Sequence, residues 1–537
     1  MLDPPAHERS YRVAKRWETA LVLLVFCIQG AAPVPDVNEP YYVGKAIHFW
    51  NSDWVAADFF LDSADSHFVY YLLFGWIGLF LPPAAMTWTL RLLTWAALAW
   101  SWGRLSDAIV PRVGFAALSA ALFVTLNETC HMAGEWVVGG VESKGFAYVF
   151  VFLALEAMIR GHWNRAWLLL GGAAGLHVLV GGWSTIAAAF AYFLLRGTMA
   201  SEDSKSPELP PPPTVRRMLP GLIGGLFLAL PGIVPAILLQ RGADPEIVRE
   251  ANAIYVYERL PHHLNPLQIP LHYQLRFAVI FIVWVAMAAL TWRDRAQRVL
   301  QAFVLGSVLI AVAGLAITAL QFRYPAQAAG LLRFYWFRLS DAAVPMGIAI
   351  GVAGHAARQL SRSPWVGMRW LVAAGVISAL YLLPLALYRP IPQYSPADRL
   401  PRPGAWKRAC TWVRSSGVIP PDAAFITPRG AETFKWYARR PQVAAWKEIP
   451  QDAAAIVEWW QRVNDLYATG RSGLERWYEW PSYTPVEKLL SAGRKYGADY
   501  VITYNRPRLP LPLVFENEGY AIYRLAGDES RSDAIEE

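Results

Sequence analysis

A mainly α-helical, polytopic membrane protein with a small α/β domain at its C-terminal end is the fold class that this sequence predicts. Composition is the first reason. Of 537 residues, 55% are hydrophobic and 17% charged, against roughly 25% charged in an average soluble domain. Distribution is the second. The apolar residues gather in long runs between about residue 18 and residue 388. Hydrocarbon offers the backbone no hydrogen-bond partner, so such runs must be helices that satisfy their own N–H and C=O groups. The third is a change of texture near residue 398, after which charges return and short strand-like stretches alternate with one long helical pattern. The 25 tryptophans suit membrane interfaces and pockets that are part polar, part apolar.

A net charge of +8 would suit nucleic acid if it were gathered on one face. Here arginine and lysine sit in short loops between apolar runs, which is how a chain fixes its topology, so the partner they imply is the anionic membrane surface and not nucleic acid. Cys27, Cys130 and Cys410 form no disulfide framework and no metal-binding spacing.

Taken in order, the basic "HERSYRVAKRWE" stays cytoplasmic and the run 18–35 carries the chain outward. A signal peptide would begin in the same way, but further spans follow. The next candidate spans are 84–103, 109–126, 142–160, 166–180, 183–196, 218–240, 277–292, 298–320, 339–357 and 366–388. With these, "GRLSDAIVPR" (103–112), "RGHWNR" (160–165), "RDRAQR" (293–298), "HAARQLSRSP" (355–364) and the Pro-rich linker 201–217 all fall inside. The segment "HFVYYLLFGWIGLFL" (67–81) is shorter than the roughly 20 residues that a span needs. It is expected to lie in the outer interface. The membrane domain is thus 1–392, with an outer loop at 36–83, and the soluble domain 398–537 lies outside. That domain is expected to take strands from "AAFITP", "QVAAW", "ADYVITY" and "LVFENEGYAIYRL", with "DAAAIVEWWQRVNDLY" as a helix.

Four outer segments hold the candidate chemistry. "DVNEPYYVGKAIHFW" places Asp36 and Glu39 three residues apart, just after the first span. Pro40 suits a first helical turn. From there Val43, Ala46, Ile47 and Trp50 share one helical face, and Tyr41, Lys45 and His48 another, which predicts a short amphipathic helix on the membrane. Asn38 and Glu39 would also serve as a plain helix cap. Asp58, Asp62 and Asp65 are expected in a solvated loop. The second segment, 127–144, carries Glu128, Glu135, Glu142 and Lys144; an ion pair of Glu142 with Lys144 competes with phosphate binding by the lysine. The third, 241–276, holds His262 and His263, whose adjacency is poor metal geometry. The fourth, 321–341, carries Arg323, Arg333 and Arg338 among aromatic residues. Outer loops are usually poor in arginine. A guanidinium grips phosphate oxygens through a planar fork, so a lipid phosphate is a ready reason for these three, with a local Arg338–Asp341 pair as the plain alternative. His177, inside an apolar run, is expected to be a hydrogen-bonded packing residue.

With an acid after the first span, two juxtamembrane helices and the "RL" pair of "TLRLLTWAALAW" (Arg91, Leu92), the sequence resembles the GT-C fold glycosyltransferases. It looks most like the branch holding protein mannosyltransferases and lipid A aminoarabinose transferases. The resemblance implies a GT-C-like bundle of about eleven spans plus two juxtamembrane helices. It implies an inverting sugar transfer from a polyprenyl-phosphate donor to a lipid, glycan or protein acceptor at the outer face of the plasma (inner) membrane. Either Asp36 or Glu39 matches the family's acid and would be the general base; Lys144, Arg323, Arg333, Arg338, Tyr41 and His67 are the substrate-binding candidates. No nucleotide or redox glycine motif is present. Carboxylates in this fold class can hold a divalent cation, though no pattern here requires one. A transporter of lipid-linked sugars and a catalytically silent scaffold are the competing readings.

Overall fold

The structure, a computed structural model, describes residues 6–199, 211–388 and 394–525; the linker up to residue 210 and the chain beyond 525 lie outside the described residues. Every expected apolar run carries a helix: Ala6–Gly30, Pro83–Ile109, Phe115–Cys130, Ser143–Ile159, Trp163–Leu176, Val178–Met199, Val215–Leu238, Leu271–Thr291, Arg295–Leu320, Arg338–Arg362 and Pro364–Tyr388. Among the described residues, six helices are long and apolar enough to cross a membrane by length and composition, from Val178–Thr198 to Pro364–Tyr388. The run expected at 109–126 starts later, at Phe115, because Ile109 still ends the preceding helix and Gly114 takes a left-handed φ of +93°.

The apolar surface is on the outside as well as inside. Leu380 is 74% exposed and Ile282 68%. Water would penalise such a belt; lipid would not. By contrast, the apolar window of Arg338–Arg362 is wholly buried. Its Ala342, Ala343, Gly347, Ala349 and Gly351 let neighbouring helices close in, as small residues do where lipid gives helices no hydrophobic drive to associate. Gly171 shows how tight such approaches are: a Cβ there would stand 2.0 Å from the Gly225 carbonyl oxygen. Trp163–Leu176 and Val178–Met199 are separated by His177 alone, and the chain folds back so sharply that Gly181 lies against the Ala174 backbone.

On the outer segments, Glu39–Trp50 is the expected first helix, and Phe68–Phe74 with the 3₁₀ turn Gly75–Leu79 is the second. The first helix differs from expectation on its polar face. Lys45 and His48 are buried under the loop that follows. Lys45 Nζ donates to the carbonyls of Phe60 and Ser63 at 3.1 and 2.6 Å, and His48 Nε2 meets Asp62 at 2.8 Å. Asn38, expected as the cap, makes no side-chain cap bond.

The C-terminal region builds a four-stranded mixed sheet in the order β1-β2-β4-β3. The strands are β1 Phe425–Ile426, β2 Tyr500–Tyr504, β3 Leu513–Glu516 and β4 Tyr520–Arg524. Strands β1 and β2 are parallel, and the other pairs antiparallel. Helix Ala453–Tyr467 is capped by Asp452, which accepts the Ala455 N–H. The strand expected at 442–446 shrinks to a single parallel bridge between Gln442 and Phe425 of β1, with Val443 N–H on the Phe425 carbonyl at 2.9 Å. The pairing goes no further because Gln442 N–H goes to Asp58 and Trp446 N–H to the Arg429 carbonyl.

Asp58 overturns its reading as a solvated residue. It is fully buried, and Lys435 Nζ reaches it at 2.9 Å and Glu448 at 2.5 Å. Phe60, Leu61 and Gln442 add backbone N–H donors to Asp58. The outer loop and the C-terminal region are therefore joined by a charged cluster away from water. Burial pushes the Glu448 carboxyl up to about 7, against the pull of Lys435. An unfolded glutamate titrates near 4.5. The folded state therefore binds more protons between these values. The contribution of Glu448 is complete below about 4.5 and is lost as pH rises through 7. Thermal unfolding of the purified protein across that window is expected to lose part of its pH slope in Glu448→Gln; superimposable slopes would refute this linkage.

Candidate active site

The turn after the first helix is built from its own two acids. Glu39 N–H donates to the Asp36 carbonyl at 2.9 Å, and Asp36 N–H donates to Glu39 Oε2 at 2.6 Å. Val37 N–H holds Asp36 Oδ1 at 2.7 Å. Glu39 is 0% exposed and fully engaged. Arg91 binds it with two nitrogens, Nε to Oε1 at 2.6 Å and Nη2 to Oε2 at 2.7 Å. With Asp36 N–H already on Oε2, Val141 N–H adds a fourth donor at 2.9 Å. Burial still holds its carboxyl above the ordinary glutamate range, and Arg91 offsets part of that rise. Asp36 is only half-buried, and no hydrogen bond reaches its Oδ2 from any described residue. Gly140 backs this turn: a Cβ there would lie 2.8 Å from Asp36 Cβ and 3.0 Å from Glu39 Oε1.

A row of alternating charges runs on from the turn. Asn38 Nδ2 donates to Glu142 Oε1. Lys144 Nζ stands 3.3 Å from Glu142 and 3.7 Å from Glu135, over the Trp136 ring at 3.9 Å. Glu135 also accepts Tyr148 Oη at 3.2 Å and faces Arg338 Nε at 3.5 Å. Arg338 lies 3.8 Å over Tyr335. The contacts of Lys144 and Arg338 with carboxylates are longer than good charge-assisted hydrogen bonds. Both cations therefore keep donor capacity for an incoming anion. The loop carrying Glu135 is fixed from below: Asp341 accepts the N–H groups of Met132, Ala133 and Glu135. Asp341 is thus committed to the loop, and Arg338 pairs with Glu135 instead of with Asp341, as its helix spacing had suggested.

The other candidates divide. His67 Nδ1 lies 3.2 Å from Ser143 Oγ, and its ring is 5.2 Å from that of His177. Burial, with Lys45 nearby, brings its imidazole down to about 4, so it is neutral at pH 7. Tyr41 is half-buried against Phe60 at 4.8 Å, and burial pushes its phenol up. Arg333 stands further off. It binds Asn252 Oδ1 and faces Tyr255 at 5.7 Å, and Tyr255 in turn bonds Tyr335 through their hydroxyls at 2.8 Å. Arg323 is exposed over Tyr324 at 5.8 Å and joins none of these contacts. His263 sits on the single turn Pro261–Leu264, and its ring binds the Ala133 carbonyl at 2.8 Å. Among the described residues, no group of three or more His, Cys, Asp or Glu is placed to hold a metal ion.

Two participants were not singled out by sequence. Glu135 links both cations, yet in the sequence it is one of three glutamates in its segment. Lys447 Nζ donates to the Val37 carbonyl at 2.5 Å from 410 residues away, a distance that no local pattern signals.

A domain of unknown function, DUF6798, matches residues 404–466. No curated protein matches the chain. Among solved structures, the chain is similar to ArnT from Cupriavidus metallidurans in the apo state, at 15% identity and a TM-score of 0.46, over 97% of this chain and 99% of that one. It is also similar to the arabinofuranosyltransferase AftD from Mycobacteria, at 15% identity and a TM-score of 0.47, over 97% of this chain and 40% of that one.

Removing Arg91 would leave Glu39 buried without its counter-charge. Arg91→Met is expected to cost about 3–5 kcal/mol of stability, and Arg91→Lys to restore little, since an ammonium cannot bind both oxygens in a plane. In chemical denaturation, Glu39→Gln combined with Arg91→Met should cost less than the two single changes added together. Additive losses would show that the pair does not act as a unit.

Proposed function

We propose that this protein is a membrane glycosyltransferase of the GT-C kind, working at the outer face of the plasma (inner) membrane. In this reading the N-terminus is cytoplasmic and the C-terminal domain extracytoplasmic. The donor is a sugar on a polyprenyl phosphate, and the acceptor a hydroxyl of a lipid, glycan or protein. The observation that carries the reading is the unengaged Asp36 Oδ2, at the head of a row of loosely held cations.

The steps follow from that arrangement. Asp36 Oδ2 accepts the proton of the acceptor hydroxyl. The acceptor oxygen forms a bond to the anomeric carbon, and the bond from that carbon to the phosphate oxygen breaks with inversion. The lipid phosphate leaves with the electron pair. Lys144 and Arg338 turn toward it and balance its charge, in a site where water is scarce and such contacts count for more. Glu39, saturated by Arg91, sets the turn that aims Asp36. His67, neutral and beside Ser143, is suited to hydrogen-bonding a sugar hydroxyl, with Tyr41 as an aromatic wall. Arg333 and Arg323 are further from Asp36 and would guide the phosphate on its approach.

Purified protein offered a panel of polyprenyl-phosphate sugars is expected to transfer sugar. Asp36→Asn should lower the rate by about 10²–10⁴-fold while donor binding survives; Lys144→Met and Arg338→Met should weaken donor binding first. Equal transfer by wild type and Asp36→Asn would remove Asp36 from the chemistry. Donor uptake or flipping without transfer would favour a transporter.

A further inference from the structure

The stretch 442–448 of the C-terminal region touches several outer elements at once. Gln442 N–H donates to Asp58 Oδ2 at 3.1 Å, and Glu448 shares Lys435 with Asp58. The Trp446 carbonyl accepts Arg259 Nε at 2.8 Å, which ties the stretch to the third outer segment. Lys447 Nζ donates to the Val37 carbonyl at 2.5 Å. Val37 is also the residue whose N–H holds Asp36 Oδ1. One residue of the turn is therefore gripped at both of its backbone polar groups, by the acid on one side and by Lys447 on the other.

We propose that Lys447 is a positioning residue: by holding the Val37 carbonyl it fixes the direction of the Asp36 carboxylate, and so makes the C-terminal region part of the active site. This rests on Asp36 as the base. Pro33 and Pro35 stiffen the approach to the turn, and Asn38 is committed to Glu142, so among the described contacts Lys447 is the donor that reaches the Val37 carbonyl. A lysine suits the task, because its flexible stem brings a single point donor to a single carbonyl. The groups facing its ammonium are Glu432 and Glu142, with Arg399 and Arg259 of like charge. Glu432 Oε2 is buried without a hydrogen bond, so the local balance of charge is delicate. Burial lowers the ammonium to about 8. A neutral amine still donates, but more weakly than an ammonium, so the grip slackens as pH rises past that value.

The test uses the full chain, with Lys447→Met and Lys447→Arg, and two readouts. Hydrogen exchange of the segment 33–39 reports the grip without reference to activity. Steady-state transfer reports its use. Lys447→Met is expected to speed exchange at the Asp36 and Val37 amides and to lower kcat by at least about tenfold, with the donor KM little changed. Lys447→Arg is expected to restore both. It should also remove the fall in kcat that is expected of wild type above about pH 8. Unchanged exchange in Lys447→Met overturns the proposal whatever the activity does. Faster exchange with unchanged kcat overturns it too, as does a loss confined to KM. Full transfer by Asp36→Asn would instead sink the reading of Asp36 as base, and the exchange data would still say whether Lys447 holds the turn.

Discussion

A carboxylate and a guanidinium shut away from water hold several separate segments of this protein in register. Glu39 and Arg91 could not be buried singly, because an unpaired charge in that environment is too costly to keep. Together they are saturated. Arg91 also binds the Ala32 carbonyl, at the end of the first helix, and Glu39 accepts Val141 N–H from the second outer loop. Four separate stretches of chain thus converge on one pair: the exit of the first helix, the start of the first outer helix, helix Pro83–Ile109 and the loop before helix Ser143–Ile159. Asp36, three residues upstream of Glu39, inherits its position from that junction.

The contrast between the two acids follows from the same geometry. Glu39 has every lone pair that matters taken, whereas Asp36 has one oxygen held and one free. The cations beyond them show a similar gradation. Arg91 is locked by short bonds; Lys144 and Arg338 sit at 3.3–3.7 Å from their carboxylates. Short, saturated contacts near the turn give way to longer, looser ones further out.

Much of the architecture was legible in the sequence because hydrocarbon imposes a simple rule. Each long apolar run became a helix, and the short segment 67–81 holds only the helix Phe68–Phe74 and the turn Gly75–Leu79. Charge was harder to read. Asp58 looks like its neighbours Asp62 and Asp65, and only Lys435, distant by 377 residues, makes it a core residue. The stretch "QVAAW" has strand-forming residues, but it keeps only one bridge to β1, because Asp58 and the Arg429 carbonyl claim the amides on either side of it. Arg338 and Asp341 have the spacing of a helical ion pair. The pair does not form because three loop N–H groups occupy the aspartate. In each case a contact from a remote segment outbid a local preference, and single-sequence patterns contain only the local side.

Lys435, Glu448 and Lys447 complete a loop that is made long before they are. A ribosome adding about 5–20 residues per second finishes the Asp36 turn and Asp58 on the order of half a minute before it reaches their distant partners. Through that interval Asp58 lacks Lys435 and the Val37 carbonyl lacks Lys447. The contacts that join the first loop to the C-terminal region are thus the last of this network that synthesis makes possible, because Lys435, Lys447 and Glu448 are its last members to be added.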